Sequence, residues 1–180
     1  MAAKHILQLS TCLVQAYHNR NTESLAKAAN NPRIARWMQN TFPQPYTVKD
    51  AENWISIANT RSPLLDFAIC QPDGITVIGG VGLKAQEDVH HRTMEIGYWI
   101  AEDYWHQGIA TEVIAKFSSW AFDNFANLVR LEAEVFEGNT ASCRVLEKCG
   151  FEFEGRQKAA VEKLGVIMDA YTYVKLRVEE

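Results

Sequence analysis

Small residues at the start of a long apolar helical stretch form a pattern suited to anion binding. Residues 94–117, MEIGYWIAEDYWHQGIATEVIAKF, predict a strand, a short loop and a helix whose first turn contains Gly108 and Ala110. A helix amino terminus carries unpaired N–H groups and a partial positive charge, so it can hold a phosphate or pyrophosphate that side chains do not block. Residues 107–111 are therefore a candidate phosphate cradle. The alternative is a glycine that only turns the chain into the helix.

A second pattern lies at the start of a later helix. In residues 138–151, GNTASCRVLEKCGF, Asn139 and Ser142 stand three positions apart and can share one helix face. Their side chains could reach a ligand at that end of the helix. Both are also ordinary helix-capping residues, and that interpretation stays open.

Other candidate binding motifs in the sequence are absent or have a simpler structural explanation. Neither GxxxxGK[ST] nor a GxGxxG that opens a helix after a strand is present in the sequence. The glycines of Gly79-Gly80-Val81-Gly82 lie within a β-rich run, which favours close backbone packing or a bulge. His90 and His91 are adjacent in a polar turn and cannot readily share one metal, so we expect no metal site.

Hydrophobic periodicity and turn residues predict the elements that position these segments. The expected strands are residues 12–18, 64–70, 75–83, 93–101, 129–136, 151–153 and 166–176. The expected helices follow the capping residues 19–22, begin at Pro32, lie behind a capping box of Thr47 and Asp50, begin at Thr111, and cover residues 140–149 up to Gly150. This order predicts an α+β fold with a mixed sheet.

Composition narrows the class of protein. The 180 residues are 47% hydrophobic and 22% charged, as in an ordinary globular chain, and we expect one domain over residues 1–180. With 18 basic against 22 acidic residues, the chain lacks the basic excess of a nucleic-acid-binding protein. No apolar run approaches the roughly 20 residues that cross a bilayer. Four scattered cysteines without a CxxC pair indicate unpaired thiols in a reducing compartment, so we expect a cytoplasmic or nucleocytoplasmic protein.

Taken in order, the two motifs resemble the GNAT acetyltransferase superfamily, in its ribosomal-protein N-terminal acetyltransferase-like branch, over most of the chain. The acyl-CoA loop of the family, [QRW]-x-x-G-x-[GA], is matched by Trp105-His106-Gln107-Gly108-Ile109-Ala110. The N-x-x-S…LEK-x-GF signature of the branch is matched by Asn139, Ser142, Leu146-Glu147-Lys148 and Gly150-Phe151.

This resemblance implies a GNAT fold, with a mixed, mostly antiparallel sheet flanked by helices on both faces. It also implies an enzyme that moves an acetyl group from acetyl-CoA, as cosubstrate, to a primary amine such as a protein amino terminus, a polyamine or another small amine. We expect no metal, no nucleic acid, no membrane, and a monomer or homodimer. The residues implied in acetyl-CoA binding are Trp99, Ile100, Ala101, Gln107, Gly108, Ile109, Ala110, Thr111, Asn139 and Ser142.

The resemblance also implies two catalytic residues. Glu95 stands where family members often keep a general base, although it could be an ordinary exposed strand glutamate. Many members protonate the leaving thiolate with a tyrosine at the position of Leu146, so Ser142 is the substitute here, with Tyr104 and Tyr171 as other phenols nearby in the sequence. Because that tyrosine is missing, an acyl-CoA-binding sensor with little turnover is the alternative function.

Overall fold

The computed structural model describes residues 5–178, which contain eight strands and five α-helices. The strands are β1 (His5–Gln8), β2 (Leu13–Ala16), β3 (Asp66–Cys70), β4 (Val77–Ala85), β5 (Thr93–Ile100), β6 (Arg130–Phe136), β7 (Glu152–Lys163) and β8 (Val166–Leu176). The α-helices are α1 (Thr22–Ala29), α2 (Pro32–Ala35), α3 (Val48–Thr60), α4 (Ile109–Asn124) and α5 (Thr140–Lys148). Short 3₁₀ turns cover Asn19–Asn21, Asp88–His90 and Glu102–Tyr104.

The strands form a mixed sheet in the order β1-β2-β3-β4-β5-β6-β8-β7. Antiparallel pairing joins β1 to β2, β2 to β3, β3 to β4, β6 to β8 and β7 to β8. The pairing of β5 with β6 is parallel, with Thr93 opposite Arg130 and Glu95 opposite Glu132. The predicted α+β class with a mixed, mostly antiparallel sheet is thus confirmed.

The chain divides into two compact units, and the first comprises residues up to Gly82 together with Tyr98–Ala110. Its core contains Leu25 of α1, Ile55 of α3 and Ala68 of β3, all at most 2% exposed. Every residue from Phe67 to Cys70 is buried. Since successive side chains of a strand point to opposite faces, β3 is covered on both faces.

The second unit comprises Leu83–Gly97 and the chain from Thr111 onward. Within it, α4 buries a wide stripe and β6 and α5 add apolar residues on their inner sides. The fully buried side chains of this unit include Val113, Ile114, Phe117, Ala121, Leu131 and Leu146. The single domain expected over residues 1–180 stays a prediction.

Several local predictions are confirmed at the level of hydrogen bonds. Thr47 and Asp50 form the capping box of α3, with the Asp50 N–H donating to Thr47 Oγ1 at 3.2 Å and the Thr47 N–H to Asp50 Oδ2 at 2.8 Å. Pro32 occupies the first turn of α2. Gly150 follows α5 with a φ of +80°, as a helix-ending glycine does.

The glycine run of β4 packs closely against the backbone, as predicted. An ideal Cβ at Gly79 would lie 2.3 Å from the carbonyl oxygen of Trp99, and one at Gly80 would lie 2.7 Å from the Trp99 indole nitrogen. A side chain at Gly79 would therefore displace the β5 backbone, whereas one at Gly80 would push aside the Trp99 indole and the Tyr17 hydroxyl. Glycine at these positions lets β5 approach β4.

Two strands differ from the prediction. The strand expected at residues 151–153 continues through β7 to Lys163, and β1 was not anticipated. Most β7 side chains are exposed and polar, and β7 lies at the edge of the sheet. An edge strand with polar side chains on both faces has no period-two apolar signal, which is why the pattern failed to show it.

The four cysteines are free thiols, as predicted, and Cys12, Cys70 and Cys149 are buried. No helix within residues 5–178 is long and apolar enough to cross a membrane.

Candidate active site

The candidate phosphate loop lies directly before α4. Its backbone is left-handed at His106, with a φ of +61°, and at Gly108, with a φ of +79°. Residues 106–108 are exposed, whereas Ile109, the first residue of the helix, is buried. A Cβ at Gly108 would meet nothing within 4 Å. The first amides of α4 thus lie next to open space at Gly108, where no other side chain covers the surface.

The strand segment before this loop presents two different edges. The Ala101 N–H donates to the Ile78 carbonyl at 2.8 Å, and the Trp99 carbonyl faces Gly79, so these backbone groups point to β4. Backbone groups alternate along a strand, which directs those of Tyr98 and Ile100 to the opposite edge. The Ile100 carbonyl accepts the Trp105 indole N–H at 2.7 Å. A ligand that pairs with this segment would therefore meet the backbone of Tyr98 and the Ile100 N–H.

Glu95 lies on β5 beside other carboxylates of the same unit. Its side chain is 26% exposed, and its Oε2 lies 3.9 Å from the Lys84 ammonium. The parallel register sets it opposite Glu132, and Glu134 follows two residues later on the same face of β6. Crowding by protein atoms, and then the negative charge of Glu95, raise the pKa of the Glu134 carboxyl, while Lys84 opposes them. We call Glu95, Glu132 and Glu134 the acidic row.

Glu132 and Glu134 are the members of the acidic row that the sequence motifs missed. A signal for them does exist, because Arg130-Leu131-Glu132-Ala133-Glu134 alternates charged and apolar residues with a period of two. The row can attract a cationic ligand, and Glu95 can accept a proton. Because Lys84, Glu132 and Glu134 lie beside it, Glu95 is not an isolated surface carboxylate.

Asn139 caps α5, which confirms the capping interpretation of this residue. Its Oδ1 accepts the Ser142 N–H at 3.3 Å, and its own N–H donates to the Phe136 carbonyl at 3.0 Å. Capping occupies the oxygen of the side chain, while the Asn139 amide nitrogen is still a donor. Ser142 lies half-buried in the first turn of α5, so both residues stand at one helix end.

The tyrosines that could act as an acid are placed differently. Leu146 is fully buried, so an apolar side chain occupies the position of the family's tyrosine. Tyr104 Oη accepts a hydrogen bond from Gln71, and the Tyr171 ring packs against Phe153. Tyr173, which the sequence did not single out, donates to Glu147 Oε1 at 3.2 Å. Burial, and then the neighbouring Cys143 and Glu147, raise the pKa of Tyr173.

Each unit contains some of the predicted site residues. The first unit holds Trp99, Ile100, Ala101, Gln107, Gly108, Ile109 and Ala110, and the second holds Glu95, Thr111, Asn139 and Ser142. Among residues 5–178, no group of three His, Cys, Asp or Glu side chains is arranged to hold a metal ion.

Comparison with known proteins gives a consistent result. A family model described as an acetyltransferase (GNAT) domain matches residues 12–152. The uncharacterized N-acetyltransferase YoaA of Bacillus subtilis is 29% identical over 176 residues, which are 93% of this chain and 94% of YoaA. The putative ribosomal N-acetyltransferase YdaF of the same organism is 36% identical over 167 residues, 89% of this chain and 88% of YdaF.

Solved structures show the same fold at low sequence identity. RimL, a ribosomal L7/L12 alpha-N-protein acetyltransferase in complex with coenzyme A, has a TM-score of 0.84 and 17% sequence identity. The match covers 96% of this chain and 98% of RimL. The microcin C7 self-immunity acetyltransferase MccE, in complex with acetyl-CoA and AMP, has a TM-score of 0.80 and 21% identity, with 94% of each chain covered.

Proposed function

The chain belongs to the GNAT acetyltransferase family, and from that premise we propose that it moves an acetyl group from acetyl-CoA directly to a primary amine. One observation carries this proposal. The exposed start of α4 combines a left-handed Gly108, open space where its side chain would be, and a helix amino terminus. These features suit the diphosphate of acetyl-CoA.

The residues around the start of α4 fit the proposed cosubstrate. The amides of residues 107–111 would hold the diphosphate, and the outer edge of Tyr98 and Ile100 would pair with the pantetheine arm. Trp99 and Ala101 would contact it only through their side chains, because their backbone groups face β4. Coenzyme A or acetyl-CoA is bound in the RimL and MccE structures, which supports this assignment.

A base is needed because only a neutral amine attacks the thioester. At pH 7 a lysine-type amine with a pKa of about 10.4 costs roughly 4 to 5 kcal/mol to deprotonate, whereas an α-amino group with a pKa of about 8 costs about 1 to 1.5 kcal/mol. We assign this role to Glu95, whose carboxylate would accept the proton. The other members of the acidic row would favour a cationic acceptor electrostatically.

The leaving thiolate is the second charge to be stabilised. As the amine nitrogen bonds to the carbonyl carbon, the carbon–sulfur bond breaks, the acylated nitrogen releases its second proton to solvent, and the thiolate takes up a proton from solvent. Asn139 and Ser142 stand together at the start of α5, and we assign to them the hydrogen bonds to this sulfur. Because a thiol has a pKa of about 8.5, the thiolate leaves at neutral pH without a dedicated tyrosine.

The acceptor class stays open between protein amino termini, polyamines and other small amines. The name of YdaF, a putative ribosomal N-acetyltransferase, favours a protein amino terminus. The acidic row favours a polycationic acceptor. A second function, an acyl-CoA-binding sensor with little turnover, is favoured by the buried Leu146.

Two measurements test the proposal and separate its alternatives. Acetyl-CoA at a hundred times its Kd should stabilise the protein by about 2.7 kcal/mol, and the absence of any thermal shift would contradict both enzyme and sensor. Release of coenzyme A is then followed with spermine, amino-terminal peptides and lysine peptides. Turnover with any of them supports the enzyme, and binding without turnover supports the sensor.

The role of Glu95 has its own test. Glu95→Gln should slow turnover most for amines of high pKa, because they depend most on a base, and should leave acetyl-CoA affinity unchanged. Lys84→Met is the matched control, since it removes the cation beside Glu95 and keeps the carboxylate. Equal activity of Glu95→Gln and the wild type on every amine would exclude Glu95 as the base.

A further inference from the structure

We propose that Arg33 and Glu102 are positioning residues that hold the phosphate loop, residues 105–108, in its binding conformation. This inference rests on the proposed function, because it concerns affinity for acetyl-CoA at the same loop. The two residues lie far apart in the sequence, on α2 and on the 3₁₀ turn Glu102–Tyr104, and both belong to the first unit. We call the contacts between these two elements the α2 latch.

The α2 latch uses both oxygens of one carboxylate. Asn31 caps α2 by accepting the Arg33 N–H at 2.8 Å, and its Nδ2 donates to Glu102 Oε2 at 2.6 Å. The Arg33 guanidinium donates to Glu102 Oε1. Two polar residues at the start of α2 therefore bind the turn that leads into the phosphate loop.

Trp105 extends the α2 latch into the loop itself. The Arg33 guanidinium carbon lies 5.1 Å from the centre of the Trp105 ring, within the range of a cation–π interaction. The indole N–H donates to the Ile100 carbonyl at 2.7 Å, which fixes the edge of the ring. Trp105 is followed by the left-handed residues His106 and Gly108. The residue directly before the left-handed part of the loop is thus held by contacts on its ring face and at its indole nitrogen.

The exposure of the α2 latch indicates that it orders the loop more than it stabilises the fold. The Arg33 and Glu102 side chains are 65% and 34% exposed, and exposed ion pairs add little to the free energy of unfolding. A binding loop held in its bound conformation gains affinity because less ordering remains to be done on binding. Loss of the latch should therefore appear in the affinity for acetyl-CoA.

The test compares Arg33→Ala and Glu102→Ala with Arg61→Ala. Arg61 forms an ion pair with Asp66 at 2.6 Å in the same unit, at the end of α3 and the start of β3, and Asp66, 13% exposed, is more buried than Glu102. We expect Arg33→Ala and Glu102→Ala each to raise the Kd and KM for acetyl-CoA about tenfold, equal to about 1.4 kcal/mol, with kcat at saturating acetyl-CoA within about twofold of the wild type. The double variant should lose less affinity than the two single losses combined, since both changes break the Arg33–Glu102 contact, while Glu102→Ala also removes the Asn31 hydrogen bond and Arg33→Ala the contact with Trp105.

Arg61→Ala should leave the Kd for acetyl-CoA unchanged even though it lowers the thermal stability at least as much as Arg33→Ala does, because it leaves the more buried Asp66 carboxylate without its partner. Arg33→Lys keeps the charge but not the fork or the stacking plane, so it should recover only part of the affinity, and it replaces Arg33→Ala if that variant does not fold.

Each outcome decides a separate question. If the wild type binds no acetyl-CoA, the proposed function is wrong. If the wild type binds it but the Arg33 and Glu102 variants match Arg61→Ala, the α2 latch has no positioning role. If Arg33→Ala weakens binding while Glu102→Ala does not, Arg33 acts on the cosubstrate directly and the positioning role is overturned.

Discussion

Replacement of Gly108 by alanine tests the phosphate loop without disturbing the packing of the protein. A Cβ at this position meets nothing within 4 Å, so Gly108→Ala introduces no clash with other protein atoms. What changes is the backbone, because its φ of +79° is left-handed and unfavourable for alanine. Any loss of acetyl-CoA binding then comes from the loop conformation or from the new methyl group at the binding surface.

The size of the effect follows from the cost of the left-handed conformation, which is about 1–2 kcal/mol for an L-residue. If the alanine loop relaxes in the free protein, binding must restore this conformation, and affinity falls about 5- to 30-fold at 1.4 kcal/mol per factor of ten. If the loop keeps its conformation, the same cost reduces stability instead and the methyl group blocks the ligand. Isothermal titration with acetyl-CoA measures the loss of affinity, and a thermal melt measures the loss of stability.

Gly165→Ala is the matched control. Gly165 lies between β7 and β8 with a φ of +76°, and a Cβ there would also meet nothing within 4 Å, so its backbone strain and open surroundings are the same. We expect Gly165→Ala to lower Tm by roughly 2–8 °C without changing the Kd for acetyl-CoA. Wild-type affinity in Gly108→Ala would refute the assignment of the loop, and an equal loss in Gly165→Ala would show that general destabilisation causes it.

Two further substitutions test the sheet and the acidic row. Gly79→Ala should destabilise the protein by about 1–3 kcal/mol in urea unfolding, because its Cβ would lie 2.3 Å from the Trp99 carbonyl oxygen. Gly155→Ala is the control, since the space around its Cβ is open, and it should not destabilise the protein in this way. Equal unfolding midpoints of the two variants would contradict the close approach of β4 and β5. Folding raises the pKa of the Glu134 carboxyl, so this group lowers the free energy of unfolding as the pH rises from its unfolded pKa through its folded one. Glu134→Gln removes this loss and should therefore stabilise the protein near pH 7. The gain should shrink toward about pH 4, where the carboxyl is largely protonated in both states, and a gain that does not depend on pH would contradict the charge repulsion within the row.

Local chemistry in the sequence was sufficient for the elements that carry the site. The capping box of Thr47 and Asp50, the proline that begins α2 and the glycine that ends α5 act over four residues or fewer, so their spacing alone predicts them. The small residues at the start of α4 likewise lie within one turn. The predicted anion-binding character of that turn therefore rests only on adjacent residues and on the helix backbone.

Tertiary structure decided the neighbours of those elements. Glu102 and Arg33 are 69 positions apart, and Glu95 meets Glu132 only through the parallel register of β5 and β6. The close approach at Gly79 was predicted, but its partner, Trp99, comes from another strand. Such pairs depend on the path of the chain across the sheet and on the packing that fixes the register, and a pattern of neighbouring residues contains neither. The sequence therefore identified the helix ends that are proposed to bind a ligand, whereas the folded chain determined which residues distant in the sequence lie beside each element.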